Sequence, residues 1–452
     1  MYHDFYSLLC CKVVSRISRS NKCIIDEYSA SKLNHSTMHI DTPNNPIHEC
    51  NKPAIPSSEE WNQLKYEIEN SFIPKNTIIE SRPFEVDDFI GVLDNVKSCF
   101  EKLTIFSLIP PEDLSASSRN RYECISYAII FCGEHSSKNV WTDDDCMAAS
   151  RTTLKTIMSA CLCETLNDYM IKVDQRETLH GVNLLSFILP KLSKEEWQYY
   201  PSITCCFTWL LSHIELPFMK HFIQIALPIS LNILEDYATS SKQIGLKCLY
   251  QILTNISATE LQWHIQLELL QNMLKRYLYF RECELILLVI SCALDVAEKS
   301  QPNMKHTGVS LQWSFYDEIL NIALPLMEFE QNIEIRQLYG DCLCLIAKSA
   351  NVSAIRWLPR FLRIIEDYSK TDITEKHAML ALNLCLRWCW PVADQHWRRI
   401  NVIAGRIIFN SENTEAIRKA EICIRSLKDI APKDAAILDV EAIRSKKKES
   451  NF

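Results

Sequence analysis

Glycine is scarce in this chain. The 452 residues contain seven glycines, and no two of them lie close together. Phosphate-binding loops and tight hairpin turns depend on glycine, because the backbone must approach a ligand closely or adopt a positive φ. The sequence therefore excludes a P-loop, a Rossmann fingerprint and most all-β folds.

A surplus of positive charge and long apolar runs are also missing. The formal net charge is −8, whereas duplex binding depends on many Lys and Arg contacts to phosphates. The longest apolar run, 285–294, spans ten positions, against about 20 for a membrane-spanning helix. We therefore expect no nucleic-acid partner and no membrane partner, and we interpret the apolar run as a buried helix.

The twenty cysteines include no Cys-x2-Cys pair, which removes the common zinc and redox signatures. Cys248, Cys292, Cys342 and Cys423 occupy helical core positions, where free cysteine acts as a small hydrophobe. We predict reduced thiols, no metal ion and no other cofactor. Such thiols indicate an intracellular protein, which we expect in the cytoplasm, with the nucleus left open as a second location.

Two similar segments lie 131 residues apart. Leu227-Pro228 is followed by Glu235-Asp236-Tyr237, and Leu358-Pro359 is followed by Glu366-Asp367-Tyr368. This spacing is three times about 44 residues, and HEAT-type helix pairs repeat at roughly 40–47 residues. The second helices of successive pairs are predicted to start near residues 241, 282, 333, 374 and 414. The pattern predicts an all-α, HEAT- or armadillo-like α-solenoid of stacked antiparallel helix pairs, an architecture that usually binds other proteins.

Apolar spacing is helical almost everywhere after residue 57. The clearest stripe follows i, i+3, i+4, i+7 and i+8 and consists of Ile335, Leu338, Tyr339, Cys342, Leu343, Ile346 and Ala347. A single helix pair cannot bury its apolar face alone, so neighbouring pairs must stack. We expect Leu338 and Ile346 to be buried between them.

Composition divides the chain into four parts. Residues 1–56 lack a sustained period and are rich in Ser, Asn, Lys and Pro, so we predict that they are mostly disordered. An N-terminal helical region is predicted at 57–200, the C-terminal solenoid at 201–445 and a basic tail at 446–452. A composition shift at Tyr199-Tyr200-Pro201 is the best candidate for the boundary between the two helical parts.

No catalytic motif competes with the solenoid. Asp143-Asp144-Asp145 lacks the third acid of an Asp-Asp-x-x-Asp site, since Met147 stands there, and we interpret these acids as the N-cap of a helix. No His-Glu-x-x-His or Gly-x-Ser-x-Gly occurs. The Trp-x3-Asn pattern of armadillo-type import receptors occurs once, at Trp397/Asn401. We predict no catalytic residues and no enzymatic activity.

The acidic–aromatic segments supply the candidate partner-binding residues, which are Glu235, Asp236, Tyr237, Lys242, Glu366, Asp367 and Tyr368. Carboxylates at the end of a helix oppose its dipole at a cost of up to about 1 kcal/mol, so a cation should compensate them. Two interpretations stay open: the cation is Lys242 or a basic residue of the next repeat, within an inter-repeat ladder, or it belongs to another protein. We expect Tyr237 to pack its ring and to hydrogen-bond through its hydroxyl.

The stretch 207–249 resembles the Tel-two-interacting protein two family, a subunit of the TTT complex. The resemblance is carried by Phe207, Trp209-Leu210-Leu211, His213, Pro217-Phe218, Leu227-Pro228, Leu234, Asp236-Tyr237, Lys242, Gly245 and Cys248-Leu249. Trp390-Pro391 matches a Trp-Pro that closes a later helix pair, so the resemblance covers about 175–440. Glu235 departs from it, since a second Asp is expected there.

The resemblance implies a non-enzymatic adaptor. Members of this family form the TTT complex with Tti-one and Tel-two subunits, and the complex acts with heat-shock protein 90 and its co-chaperones. Its clients are newly made phosphatidylinositol-3-kinase-related kinases such as TOR and ATM. The resemblance also implies that the C-terminal solenoid joins the chain to its Tti-one-like partner. The alternative is a generic α-solenoid scaffold or transport receptor unrelated to kinase maturation.

Overall fold

The structure, a computed structural model, describes residues 57–75, 89–108, 119–174, 177–264, 267–300, 313–349, 353–432, 435–442 and Ser445. The predicted disordered segment 1–56 and the predicted basic tail 446–452 lie outside these residues. Pro53–Phe452 forms one compact unit. Within its described part the regular secondary structure is helical, with two isolated β-bridges and no strand. The all-α prediction is confirmed.

Six α-helices are described before residue 200. They are α1 (Ser58–Ser71), α2 (Ile90–Leu103), α3 (Arg119–Glu134), α4 (Asp144–Ala160), α5 (Leu166–Ile171) and α6 (His180–Ile188). A capping box starts α1, because the Glu60 amide donates to Ser57 Oγ and the Ser57 amide donates to Glu60 Oε2. The N-cap of α4 is Asp143, whose carboxylate accepts from the Cys146 amide at 2.7 Å. The interpretation of these acids as a cap is confirmed.

Five helix pairs follow α7 (Pro201–Ser212). In chain order they are α8 (Ile223–Leu234) with α9 (Thr239–Thr254), then, after the short α10 (Ala258–His264), α11 (Leu267–Tyr277) with α12 (Cys283–Ser300), α13 (Phe315–Phe329) with α14 (Ile333–Ser349), α15 (Ala354–Tyr368) with α16 (Glu375–Ala393), and α17 (Trp397–Asn410) with α18 (Thr414–Ile430). The second helices start within two residues of the predicted positions. The HEAT-like repeat is confirmed.

The second helices form the continuous core of the solenoid. The second helices α9, α12, α14, α16 and α18 pack against one another in that order, and each first helix packs against its own second helix. On α14, Ile346 is fully buried as expected, but Leu338 is only half-buried. The prediction for Leu338 is wrong because the buried face is centred between Tyr339 and Leu343. At about 100° per residue, Leu338 lies at the margin of that face.

A buried carboxylate joins helices on both sides of residue 200. Glu134, the last residue of α3, accepts a hydrogen bond from Ser202 Oγ of α7 at 2.7 Å and one from the Ile73 amide at 3.4 Å. Cys206 of α7 also donates through its thiol to the Ile130 carbonyl of α3. The two helical parts therefore pack directly against each other, and the domain boundary near residue 200 stays a prediction.

Glu134 should make the stability of the protein fall as the pH rises. Burial raises the pKa of Glu134 to about 7 from an ordinary 4.5, opposed by the hydrogen bond from Ser202. The folded chain therefore keeps this proton up to about pH 7, whereas the unfolded chain releases it near pH 4.5. Its contribution is fully present below pH 4.5 and is lost as the pH rises to about 7.

Glu134→Gln removes this titration while keeping the shape of the side chain. Between pH 4.5 and pH 8, the free energy of unfolding of the wild-type protein should fall relative to that of the variant by on the order of 3 kcal/mol. Urea unfolding of both proteins across this range measures the difference. Parallel curves would show that Glu134 is not protonated in the folded protein.

Candidate partner-binding surface

The second acidic–aromatic segment is neutralised within the chain. Arg399 of α17 donates from Nε and Nη2 to Glu366 Oε2, at 2.8 and 2.6 Å. Asp367 accepts from Arg336 Nη2 at 2.9 Å, and Lys370 Nζ lies 3.5 Å from its other oxygen. Both acids thus meet cations of neighbouring helices. For this second acidic–aromatic segment, the inter-repeat ladder is the correct interpretation.

The ladder extends along successive first helices. Acids of α13 form ion pairs with cations of the neighbouring first helices α11 and α15, and an acid of α15 pairs with a cation of α17. The ion pairs of the ladder are Lys275–Glu318 at 2.7 Å, Arg356–Asp317 at 2.7 Å, Arg360–Glu328 at 3.2 Å, Arg363–Glu328 at 2.8 Å and Arg399–Glu366 at 2.6 Å. Sequence reasoning did not single out these arginines. The available signal was a basic residue about one repeat away from each acid.

Tyr368 performs the role that was expected of Tyr237. It is fully buried, and its hydroxyl donates to the Met327 carbonyl of α13 at 3.1 Å. The Arg336 guanidinium lies 4.5 Å from the centre of its ring. Burial raises the pKa of Tyr368 above its ordinary value. The side chain therefore fastens the end of one first helix to the end of the preceding one.

The first segment is arranged differently, and the expectation for Tyr237 is wrong. Tyr237 is 89% exposed, so its ring does not pack. The reason is where the helix ends: α15 continues to Tyr368, whereas α8 ends at Leu234 and leaves Tyr237 in the following turn. The carbonyl of Leu234 accepts instead from the hydroxyl of Tyr277 at 2.8 Å.

Glu235 and Asp236 form no ion pair with the described residues. Glu235 is exposed at the C-cap of α8, and Asp236 accepts a hydrogen bond from the neutral Gln198 amide at 3.3 Å. Within the described ranges, no cation lies within 4.0 Å of either carboxylate. Lys242 does not compensate them: its Nζ donates to the Tyr237 carbonyl at 2.9 Å and lies 5.1 Å from the centre of the Phe280 ring. For the first acidic–aromatic segment, the interpretation that stays open is that the compensating cation belongs to another protein.

Charge reversal should affect stability differently in the two acidic–aromatic segments. Glu366→Lys with Asp367→Lys replaces the attractions to Arg399, Arg336 and Lys370 by repulsion, so we expect a loss of roughly 1–3 kcal/mol in the free energy of unfolding. Glu235→Lys with Asp236→Lys changes the net charge equally but breaks no ion pair among the described residues. We expect its melting temperature to stay within about 1 °C of the wild-type value, because exposed substitutions usually change stability little.

Thermal melting followed by circular dichroism measures both double variants. Equal melting temperatures for the two would show that the ladder at Glu366 and Asp367 contributes no stability. A lowered melting temperature for the variant with Glu235→Lys and Asp236→Lys would assign these two acids to a contact within the chain.

The cysteines lie where their helical spacing places them. Cys248, Cys292, Cys342 and Cys423 are fully buried, and the sixteen cysteines of the described ranges are free thiols. Burial raises the pKa of Cys248 to about 11 and that of Cys423 to about 12, so these thiols stay protonated at neutral pH. The described residues contain no group of three or more His, Cys, Asp or Glu that could hold a metal ion.

Asn401 is occupied by the chain itself. Its amide donates to the Ala436 carbonyl at 3.2 Å and accepts from the Leu438 amide at 3.2 Å. Because the side chain of Asn401 is engaged in this way, it is not available to bind a peptide. The single Trp-x3-Asn pattern therefore does not support a transport receptor. In the described part of the chain, no helix has the length and apolarity that crossing a membrane requires.

The sequence of the chain is similar to those of known proteins. No protein-family model matches the chain. A human protein is 27% identical to it over 268 residues, which cover 58% of this chain and 53% of the human one. The chain is similar to TELO2-interacting protein 2. The rat protein of that name is 26% identical over 268 residues and is covered over 52% of its length. The resemblance seen in the sequence is confirmed, and the chain spans about half the length of these curated relatives.

Solved structures agree on the fold. Kap121p is 13% identical in sequence, with a TM-score of 0.51 over 82% of this chain and 34% of Kap121p. A structure of Kap121p bound to Ste12p gives the same TM-score and coverage at 14% identity. At this identity the likeness shows a helical solenoid and nothing about function. The predicted fold class is thereby confirmed.

Proposed function

We propose that the chain is a non-enzymatic adaptor subunit of a TTT-type co-chaperone complex. The observation that carries the proposal is the sequence similarity to TELO2-interacting protein 2, a protein whose name states that it interacts with TELO2. The α-solenoid supports it, because stacked helix pairs present extended surfaces to other proteins. The carboxylates of Glu235 and Asp236, which have no ion pair within the described residues, support a charged interface at the turn between the two helices of the first pair.

The proposed partners are a Tel-two-like and a Tti-one-like subunit, and the complex acts together with heat-shock protein 90 and its co-chaperones. The proposed clients are phosphatidylinositol-3-kinase-related kinases of the TOR and ATM class, whose maturation, stability and assembly the complex supports. Such an adaptor works in the cytoplasm and, for nuclear kinases, in the nucleus. No nucleic acid or membrane takes part in this proposal.

Affinity purification of the tagged full chain from cells of its own source tests the proposal. We expect Tel-two-like and Tti-one-like subunits in near-stoichiometric amounts, and kinases of this class in smaller amounts. Depletion of the chain should then lower the steady-state level of those kinases. Recovery of transport cargo without the sister subunits would favour the transport-receptor alternative and contradict the proposal.

A further inference from the structure

The turns that join the first helix of each pair to its second helix form one edge of the solenoid. We name this surface the turn edge and define it by residues 235–242, 278–284, 329–336, 369–376 and 409–415. The five turns are far apart in sequence, and only the stacking of the helix pairs makes them neighbours. Neighbouring helices lie about 8–10 Å apart, so adjacent turns present their side chains at a similar spacing.

Contacts between the turns show that the edge is continuous. Lys242 of the first turn reaches the Phe280 ring of the second, and Arg281 of the second forms an ion pair with Glu330 of the third. Arg336 of the third turn then bridges to the end of α15, where the fourth turn begins. Ser411 Oγ of the fifth turn donates to the Glu375 carboxylate of the fourth at 2.6 Å.

Every turn exposes a large apolar side chain. These side chains are Tyr237, Tyr279, Phe329 with Ile333, Ile373 and Phe409. Phe329 is 73% exposed and Ile333 is 61% exposed. Exposed apolar residues scattered singly need no explanation, whereas an aligned series on one edge is typical of a protein-binding surface. The apolar spacing of the helices could not predict it, because these residues lie at helix ends and in turns.

Every turn also exposes a carboxylate that has no ion pair within the described part of the chain. These acids are Glu235, Glu282, Glu334, Asp372 and Glu412. The cations of the same edge are engaged by the chain itself, in the contacts Lys242 to the Tyr237 carbonyl, Arg281–Glu330, Arg336–Asp367, Lys370–Asp367 and Lys376–Glu415. The edge as a whole therefore carries an excess of negative charge beside exposed apolar surface.

We propose that the turn edge is a docking surface for a partner protein whose contacting segment carries Lys or Arg beside apolar side chains. Cations of that segment meet the five carboxylates, and its apolar side chains cover the aromatic and aliphatic groups between them. Charge complementarity of this kind steers association and rejects acidic competitors. The inference rests on the proposed adaptor function only in taking this partner to be a subunit of the same complex.

Site-specific cross-linking in cells tests the chemistry of the partner. A photoreactive phenylalanine analogue replaces Tyr237, Phe329 or Phe409 in the full chain, and replaces exposed Tyr66 or Leu162, away from the edge, as controls. We expect the three edge positions to cross-link to one protein, through segments that contain Lys or Arg and apolar residues. Cross-links to acidic segments, to the chain's own residues 446–448 or to a second copy would overturn the proposal.

Matched variants test whether the edge carries the affinity for that protein. The first variant neutralises the edge with Glu235→Gln, Glu282→Gln, Glu334→Gln, Asp372→Asn and Glu412→Gln. The control variant makes the same change in charge at exposed acids elsewhere, with Glu59→Gln, Glu101→Gln, Glu164→Gln, Glu195→Gln and Asp429→Asn. A third variant shortens the apolar series with Tyr237→Ser, Tyr279→Ser, Phe329→Ser, Ile373→Ser and Phe409→Ser.

Both edge variants should recover the cross-linked protein at least ten-fold less well than the wild type, and the control variant should match the wild type. Added salt should release the partner from the wild type more readily than from the neutralised variant, because exposed charge pairs are screened. Unchanged melting temperatures show that the variants fold. Equal recovery by all the proteins would overturn the proposal. If the partner is basic and apolar but is not a TTT subunit, the docking surface stands and the proposed function fails.

Discussion

Gly245→Ala is expected to prevent α9 from packing on α8. A Cβ atom at residue 245 would lie 2.6 Å from the backbone nitrogen of Leu234 and 2.7 Å from its Cα. Real Cβ contacts are not this short, and a backbone atom cannot rotate away as the end of a flexible side chain can. The helices must separate, which exposes part of the core. We expect a loss on the order of 3 kcal/mol in the free energy of unfolding.

Gly91→Ala is the matched control. Gly91 also lies in a helix, but a Cβ atom there meets no described atom within 4 Å. Alanine favours the helix over glycine by roughly 0.5–1 kcal/mol, so this variant should be as stable as the wild type or slightly more stable. Urea unfolding of both variants measures the contrast. A Gly245→Ala protein as stable as the control would show that the close approach of α8 and α9 is not maintained in solution.

Ile346→Ala is expected to have the second large effect. Ile346 lies on the buried face of α14 and has no exposed surface. Its truncation removes apolar contacts and leaves a cavity between stacked helices, which costs about 2–5 kcal/mol in well-packed cores. The measured quantity is the midpoint of urea unfolding at an unchanged slope. This residue lies in the third of five pairs, so its loss weakens the stack on both sides.

Leu338→Ala on the same helix is the control for the effect of burial at Ile346. Leu338 is half-buried at the margin of the packed face, so its truncation leaves little enclosed space and should cost roughly 1 kcal/mol. The two variants share helix, solvent and chain length, and they differ mainly in burial. Equal losses would mean that the helical phase of α14 differs from the one described. A larger loss at Leu338 would reverse the assignment of the core face.

The helices were predictable because their determinants are local. The second helices start near 239, 283, 333, 375 and 414, close to positions predicted from caps and apolar spacing alone. Asp143 was identifiable as an N-cap from the residues around it, since a cap needs only the amides of the next turn. The burial of Cys292 and Cys342 followed from the same helical spacing.

The outcome for the acidic–aromatic segments was not predictable in the same way. Glu235-Asp236-Tyr237 and Glu366-Asp367-Tyr368 are the same three residue types, yet one ends in an exposed turn and the other in a buried helix end. Arg399 lies 33 residues after Glu366, and their ion pair exists only because two first helices stack in one register. Sequence spacing alone does not determine that register.

The all-helical fold of stacked pairs, the repeat length and the similarity to TELO2-interacting protein 2 were all accessible from the residues alone. These properties depend on contacts within a helix or between neighbours in the chain, and on residue identities. The packing of the helices was needed to show which carboxylates are neutralised, which tyrosine is buried and which turns share an edge. Those properties depend on residues that are 30 or more positions apart and that meet only when the apolar faces of successive pairs are buried against each other.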